Sequence, residues 1–307
     1  MPKMNIVKSV HIEAPIDKVF TTVNDFHTWT TWSPWLISEP EAKVNIREDG
    51  KYYEWLGDRI GSGNMTIIQE KTPNQVDYDL TFLKPWKSKS KVSFICKEEG
   101  NGTKVTWTMD GSLPFFMFWM KKSMEAFVGA DYERGLSMLK EHVEQGKIDS
   151  KLEFQGESQF AGFKYIGIKT ETASDNIGPD MNADFQKLWD VIGEDKDNLA
   201  GQSFSIYHKW DMVNKRVVYT AGIPIKKIPQ NLPEGVSVSE IPASKVYTLR
   251  HVGSYDHLGN AWTTLYSMHR NKEIKLVKGI HPFESYVNTP GEVPDSELIT
   301  DIRFAIK

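Results

Sequence analysis

Two stretches in the second half of this chain carry the same succession of elements, and a duplication of that kind constrains the fold more than any local propensity. The first copy opens on the apolar run Phe163-Lys164-Tyr165-Ile166-Gly167-Ile168. It continues with Phe185, Leu188, Trp189 and Ile192 at the i, i+3, i+4, i+7 spacing of an amphipathic helix. Strand-like runs from Phe204 to Trp210 and from Arg216 to Ile225 close it. The second copy repeats this order with a strand from Lys245 to Val252 and a helix stripe of Leu258, Ala261, Trp262, Leu265, Tyr266 and His269. Strands from Pro282 to Val287 and Leu298 to Ile306 follow. Leu188 matches Leu265, Tyr207 matches Tyr286 and Ile225 matches Ile306, an offset of about 77 to 81 residues that is too long for a solenoid repeat. Two copies imply a pseudo-twofold domain built from a duplicated β-α-β-β unit, with a groove at the junction of the copies.

Side chains alternate along a strand, so Glu284 and Tyr286 project to one side while Phe283 and Ser285 project to the other. The matching pair in the first copy is Ser205 and Tyr207. The junction is therefore expected to hold two tyrosines and a single carboxylate. A carboxylate ringed by aromatic groups is poorly solvated and has a raised pKa unless a cation compensates it. An organic cation would satisfy Glu284 and stack on Tyr207, Tyr219, Tyr255, Trp262 or Tyr286, at about 0.5 to 2 kcal/mol per ring. The alternative is an exposed strand glutamate paired with a lysine.

The residues His251-Val252-Gly253-Ser254-Tyr255, Trp262 and Leu265, Glu284-Ser285-Tyr286 with Pro290, and Thr300-Asp301-Ile302 resemble the gyrase-inhibitor-like (GyrI-like) effector-binding domain. That domain also forms the drug-sensing end of some AraC-type and MerR-type regulators. The resemblance covers roughly Glu153 to Lys307, and Asp301 stands where the family more often has glutamate. It implies that Glu284 sits on the floor of an aromatic cleft that meets cationic or polarised ligands. It also implies a second reading, since some members resemble hydrolases that open strained electrophiles such as cyclopropanes. There Glu284 would steer or deprotonate a water, with Tyr255 or Tyr286 donating to the developing anion. A third reading is a module that binds a protein such as gyrase.

The first half reads differently. Val10 and Ile12 alternate in a strand, and Ala14-Pro15 opens a short helix with Ile16, Val19, Phe20 and Val23 on one face. Antiparallel strands follow at Val76 to Phe82, Val92 to Cys96 and Val105 to Met109, with Gly100-Asn101-Gly102 as a tight turn. A final helix from near Ser123 to Val143 would span roughly 30 Å, enough to cross a whole sheet. This order resembles the START-like, polyketide-cyclase-like (SRPBCC) superfamily. The likeness rests on Ser9-Val10-His11-Ile12-Glu13-Ala14-Pro15, Val19-Phe20, Trp29, Trp32-Ser33-Pro34-Trp35 and Asp131-Tyr132-Glu133-Arg134-Gly135-Leu136. The resemblance implies a helix-grip fold, a curved antiparallel sheet around a long C-terminal helix, enclosing a second apolar cavity. Trp29, Trp32, Trp35, Tyr52, Tyr53, Trp55 and Trp107 are the candidates to line it; plain core packing is the other reading of each ring. The apolar run Leu113 to Met120 is far short of a bilayer span. A buried connection is expected there, with a lid or a membrane-touching loop as alternatives.

The chain thus reads as α+β in two domains, 1–148 and 153–307, joined by the charged, glycine-bearing stretch Gly146 to Gln155. Lys and Arg number 37 against 41 Asp and Glu, divided evenly between the halves, so no basic domain is set apart for nucleic acid. Lys84, Lys87, Lys89 and Lys91 read as a solvated hairpin edge. The start of the chain shows no signal segment, no apolar run is long enough for stable membrane insertion, and Cys96 is the single cysteine. A cytoplasmic protein is expected. His251 and His257 form no metal pair, Gly61-Ser62-Gly63 is a turn and not a dinucleotide loop, and no nucleophile elbow or helix-turn-helix occurs, so no cofactor or metal is expected. These observations point to a small-molecule binding protein taking an aromatic, cationic or apolar ligand. Hydrolase and protein-binding module stand as alternatives.

Overall fold

Alternation of buried Met4 and Ile6 with exposed polar neighbours forms the first strand, β1 (Lys3–Ile12), of the computed structural model, which describes residues 2–307. The chain divides into two units, 1–149 and 150–307. In the first unit β1 is followed by α1 (Ile16–Val23), whose buried face is Ile16, Val19, Phe20 and Val23, and by α2 (Phe26–Trp32). The Asp25 side chain caps α2 by accepting from the His27 backbone N–H. The strands β2 (Lys43–Ile46), β3 (Tyr52–Leu56), β4 (Ser62–Lys71), β5 (Gln75–Lys84), β6 (Ser88–Glu99) and β7 (Gly102–Ser112) then form antiparallel hairpins. The sheet order is β1-β7-β6-β5-β4-β3-β2. The long helix α3 (Lys121–Gln145) lays Tyr132, Leu136, Leu139 and Val143 into the core formed with Ile12, Val105 and Trp107. Gly135 permits that approach: a Cβ there would stand 2.8 Å from the Trp107 ring. The helix stops at Gly146, whose φ of 75° is left-handed. This is the helix-grip arrangement.

The apolar run before α3 is not the buried connection expected of it. Residues Phe115–Met120 form a 3-10 helix, in which one residue in three shares a face. Met117 therefore turns toward the core while Phe115, Phe116, Phe118 and Trp119 face solvent.

The second unit begins directly with β8 (Ser150–Phe160), so most of the stretch expected to be a linker is an edge strand instead. The first copy is β9 (Phe163–Ala173), α4 (Ile177–Ile192), β10 (Phe204–Asp211) and β11 (Arg216–Pro224). After β12 (Ser237–Ile241), the second is β13 (Ser244–Gly253), α5 (Gly259–Arg270), β14 (Phe283–Tyr286) and β15 (Ile299–Ala305). All eight strands make one antiparallel sheet in the order β12-β9-β11-β10-β14-β15-β13-β8. The order is palindromic about the β10–β14 pair, the pseudo-twofold expected from the duplication. Isolated bridges repeat too, Leu199 to Ile225 in the first copy and Leu276 to Ile306 in the second.

Each copy is preceded by one further strand, and these two strands exchange. β8 leads the first copy but pairs with β13 of the second, and β12 leads the second copy but pairs with β9 of the first. The exchange covers the outer edge of each half sheet, which would otherwise present unpaired backbone groups. Helix α4 packs on β9 and β11, and α5 packs on β13 and β15. The central pair, β10 and β14, runs between the two helices. Its opposite face buries Phe204, Ile206 and Phe283 with Tyr165 and Ile241.

Candidate binding site around Glu284

On the helix side of the central pair, Ser205 stands directly across from Glu284. The Tyr207 hydroxyl donates to Glu284 Oε1 at 2.8 Å, and the Trp262 indole N–H of α5 donates to Oε2 at 2.8 Å. The Tyr286 hydroxyl lies 2.8 Å from Oε1 and 2.9 Å from Ser205 Oγ, and its single proton serves one of them at a time. Tyr207 thus reaches Glu284 as Tyr286 reaches Ser205, two pseudo-equivalent diagonals that end on a carboxylate in one case and a hydroxyl in the other. Glu284 is only 1% exposed and enters no ion pair among the described residues. The three rings close over it, so the carboxyl is shut off from solvent and the expected groove is not open here.

The remaining predicted residues divide. Tyr255, in the turn before α5, meets the Tyr286 ring at 5.8 Å, while the hydroxyls on Glu284 are those of Tyr207 and Tyr286. Tyr219 faces Tyr207 across the β10–β11 ladder, but its hydroxyl donates to Asp184 of α4 at 2.7 Å. It braces the helix and is held away from the carboxylate. Sequence reading passed over three contributors. Phe185 packs edge-on against Tyr286 at 5.8 Å, and Met181 Sδ lies 3.3 Å from Ser205 Oγ. Trp210 packs on Tyr207 at 5.5 Å, although strand alternation puts residues three apart on opposite faces. A β-bulge between Tyr207 and Lys209 resets the alternation and brings Trp210 round. With Trp262 against Tyr207 at 5.0 Å and Tyr266 stacked on Trp262 at 6.2 Å, the rings run from half-exposed Trp210 to half-exposed Tyr266 across the buried acid.

In the first unit the rings expected to line an apolar cavity fill it. Trp107 stacks on Tyr132 of α3 at 3.8 Å and on Phe94 at 4.8 Å, and Trp29 and Trp32 meet it edge-on at 5.9 Å. Trp35 adds its ring at 5.9 Å and donates its N–H to Asp131. Tyr53 and Trp55 stack at 5.3 Å, and Tyr52 donates to Glu54. A surface hollow of this unit, about 300 Å³, is lined mostly by polar chains such as Asp17, Asn24 and Lys51. Among the described residues no cluster of His, Cys, Asp and Glu is suited to hold a metal ion.

Burial pushes the Glu284 carboxyl above the usual glutamate range, and the donors Tyr286, Trp262 and Tyr207 offset only part of that rise. Between the ordinary and the raised value the folded chain keeps a proton that the unfolded chain has released. Linkage therefore makes this group's contribution to stability greatest below the ordinary value and lowers it as pH rises through the window. Glu284→Gln cannot titrate. The urea midpoint of the wild-type chain relative to this variant is expected to fall steadily as pH rises from about 4, and a pH-independent difference would contradict the assignment.

Residues 158–307 match the family described as GyrI-like small molecule binding domain, and residues 3–144 match the family described as polyketide cyclase / dehydrase and lipid transport. Among solved structures, the chain is similar to CalU16 from Micromonospora echinospora at 21% identity, covering 46% of this chain and 77% of that one, with a TM-score of 0.33. It is similar to the C-terminal domain of EcmrR at 18% identity, covering 52% of this chain and 98% of that one, with a TM-score of 0.38. A dimeric Aha1 from Colwellia psychrerythraea is similar at 18% identity over 47% of this chain and 98% of that one, with a TM-score of 0.36. No curated protein matches the chain.

Proposed function

We propose that this chain, a polyketide cyclase-like domain followed by a GyrI-like small molecule binding domain, is a cytoplasmic binding protein that captures flat organic cations at Glu284. One observation carries the reading: a buried carboxylate held by three neutral donors from aromatic side chains, with no cation paired to it among the described residues. Leaving an ion unpaired in a poorly solvated site costs several kcal/mol unless a counter-charge arrives. An aromatic cation supplies that charge and replaces ring-on-ring contacts with its own stacking on Tyr207, Trp262 or Tyr286. Trp210 and Tyr266 form the outer lips of the path. The first unit, whose core is closed by its own rings, is the lesser candidate for a second apolar ligand.

Calorimetric titration with N-methylquinolinium and with its neutral isostere 1-methylnaphthalene tests this. The cation is expected to bind at least roughly tenfold more tightly, the worth of one desolvated cation–π and charge contact. Equal affinity for the two would remove the electrostatic part of the proposal, and binding of neither would remove the capture itself. The hydrolytic reading draws on the same pair, Glu284 and the Tyr286 hydroxyl. It predicts turnover of a cyclopropane-bearing substrate that is lost in Glu284→Ala.

A further inference from the structure

We propose that one end of the amino-terminal unit is a docking face for an anionic lipid bilayer surface. In an antiparallel sheet every second connection lies at the same end, and here three such connections gather: the turn 57–61, the hairpin tip 85–87 and the 3-10 helix Phe115–Met120. The registers confirm it. Ser112 pairs with Lys3, Asp110 with Lys91, and Ser88 with Phe82, so the β5–β6 tip extends past the sheet beside the aromatic segment. Phe115, Phe116, Phe118 and Trp119 are between 61% and 76% exposed, and Leu83 on the neighbouring tip is also exposed. Their exposure does not come from a loosely held loop. Leu113 is buried, Met117 packs on the core, and the Met117 N–H bonds the Pro114 carbonyl at 2.9 Å, so the turn is anchored while its aromatic side points outward.

Charge selects the occupant. Lys84, Lys87 and Lys89 border the aromatic tip on the hairpin, and Lys121 and Lys122 border it on α3. Lys121 is shared with Glu125 at 3.7 Å, and Asp58 is the one acid within the three connections. Aromatic side chains framed by lysines match the boundary between acyl chains and anionic headgroups, where rings sink below the headgroups and ammonium groups stay among them. A second copy of this chain is a poorer occupant, because a twofold contact across this face sets its own lysines against one another. No helix of the described residues is long and apolar enough to cross a membrane, so the contact is peripheral and reversible.

The test is co-sedimentation of the full chain with vesicles of phosphatidylcholine alone and of phosphatidylcholine mixed with phosphatidylglycerol. The mixed vesicles are expected to pellet the chain at low salt and to release it at high salt, since each lysine near an anionic surface strengthens association about fivefold. Phe116→Ser with Trp119→Ser, and separately Lys84→Glu with Lys87→Glu, are expected to cut vesicle affinity at least tenfold with an unchanged circular dichroism melt. Quenching of wild-type tryptophan fluorescence by brominated lipid gives a readout that needs no variant. Absence of quenching and pelleting overturns the proposal, and so does equal binding to neutral vesicles. Concentration-dependent dimerisation abolished by the Phe116 and Trp119 changes would instead assign the face to self-association.

Discussion

Glu284→Gln is expected to bind flat organic cations roughly a hundredfold more weakly than the wild-type chain, while neutral ligands of the same shape are expected to lose less than about threefold. The contrast follows from the donors. Trp262 offers only an N–H, so the glutamine oxygen must face it and the amide NH₂ must face Oε1's former partners. Tyr207 and Tyr286 accommodate this by turning their hydroxyls to accept, with Tyr286 donating to Ser205. The network survives and the charge does not. Glu284→Leu removes the acceptor as well, stranding the part-buried Trp262 N–H, and is expected to cost about 1 to 3 kcal/mol of stability. Calorimetry against cationic and neutral ligands, with thermal melts of both variants, separates the roles. A Gln variant that binds cations as well as the wild type would show that stacking alone holds the ligand.

What the sequence discloses about this site depends on how regular the backbone is. Matching Ser205 to Glu284 and Tyr207 to Tyr286 needs only the duplication and a period of two, and the register sets Ser205 directly across from Glu284. Trp262 is legible for the same reason, on the sheet-facing stripe of α5. Trp210 is not, because one bulge inverts its face and a bulge leaves no periodic trace. β8 is hidden by its own edge chemistry: charged residues alternate with Leu152 and Phe154, and Gly156 at a φ of 81° breaks the pattern opposite a register shift in β13. β12 is short, mostly polar, and recognisable only by its partner. The hydrophobicity of the aromatic run before α3 says that it avoids water but not which surface relieves it. Glu284 itself, on a strand of only four residues, is singled out by asymmetry between the copies together with the Glu284-Ser285-Tyr286 resemblance, since the alternation alone leaves an exposed strand glutamate open.

Trp107→Ala is expected to destabilise the amino-terminal unit by about 3 to 5 kcal/mol, the largest loss any single ring there should produce. Trp107 touches Tyr132, Phe94, Trp29, Trp32 and Trp35 at once, joining α3 and α2 to the β7 and β6 strands of the sheet. Deleting it leaves a void too rigidly walled to collapse, since Gly135 holds α3 close and carries no side chain to swing in. The indole N–H groups of Trp29, Trp32 and Trp107 are buried without a hydrogen-bond partner. Edge-on ring contacts recover part of that cost through N–H to π-face interactions, so Trp107→Phe, which removes one such N–H together with the outer ring, should lose appreciably less than Trp107→Ala. The void would be walled by aromatic rings, and added indole should refill it and raise the melting temperature of the Ala variant while leaving the wild-type chain unmoved. Differential scanning calorimetry of the full chain follows this in the transition of the first unit. If indole stabilises wild type and variant alike, a ligand-sized space already exists beside Trp107 and the rings do not close the core.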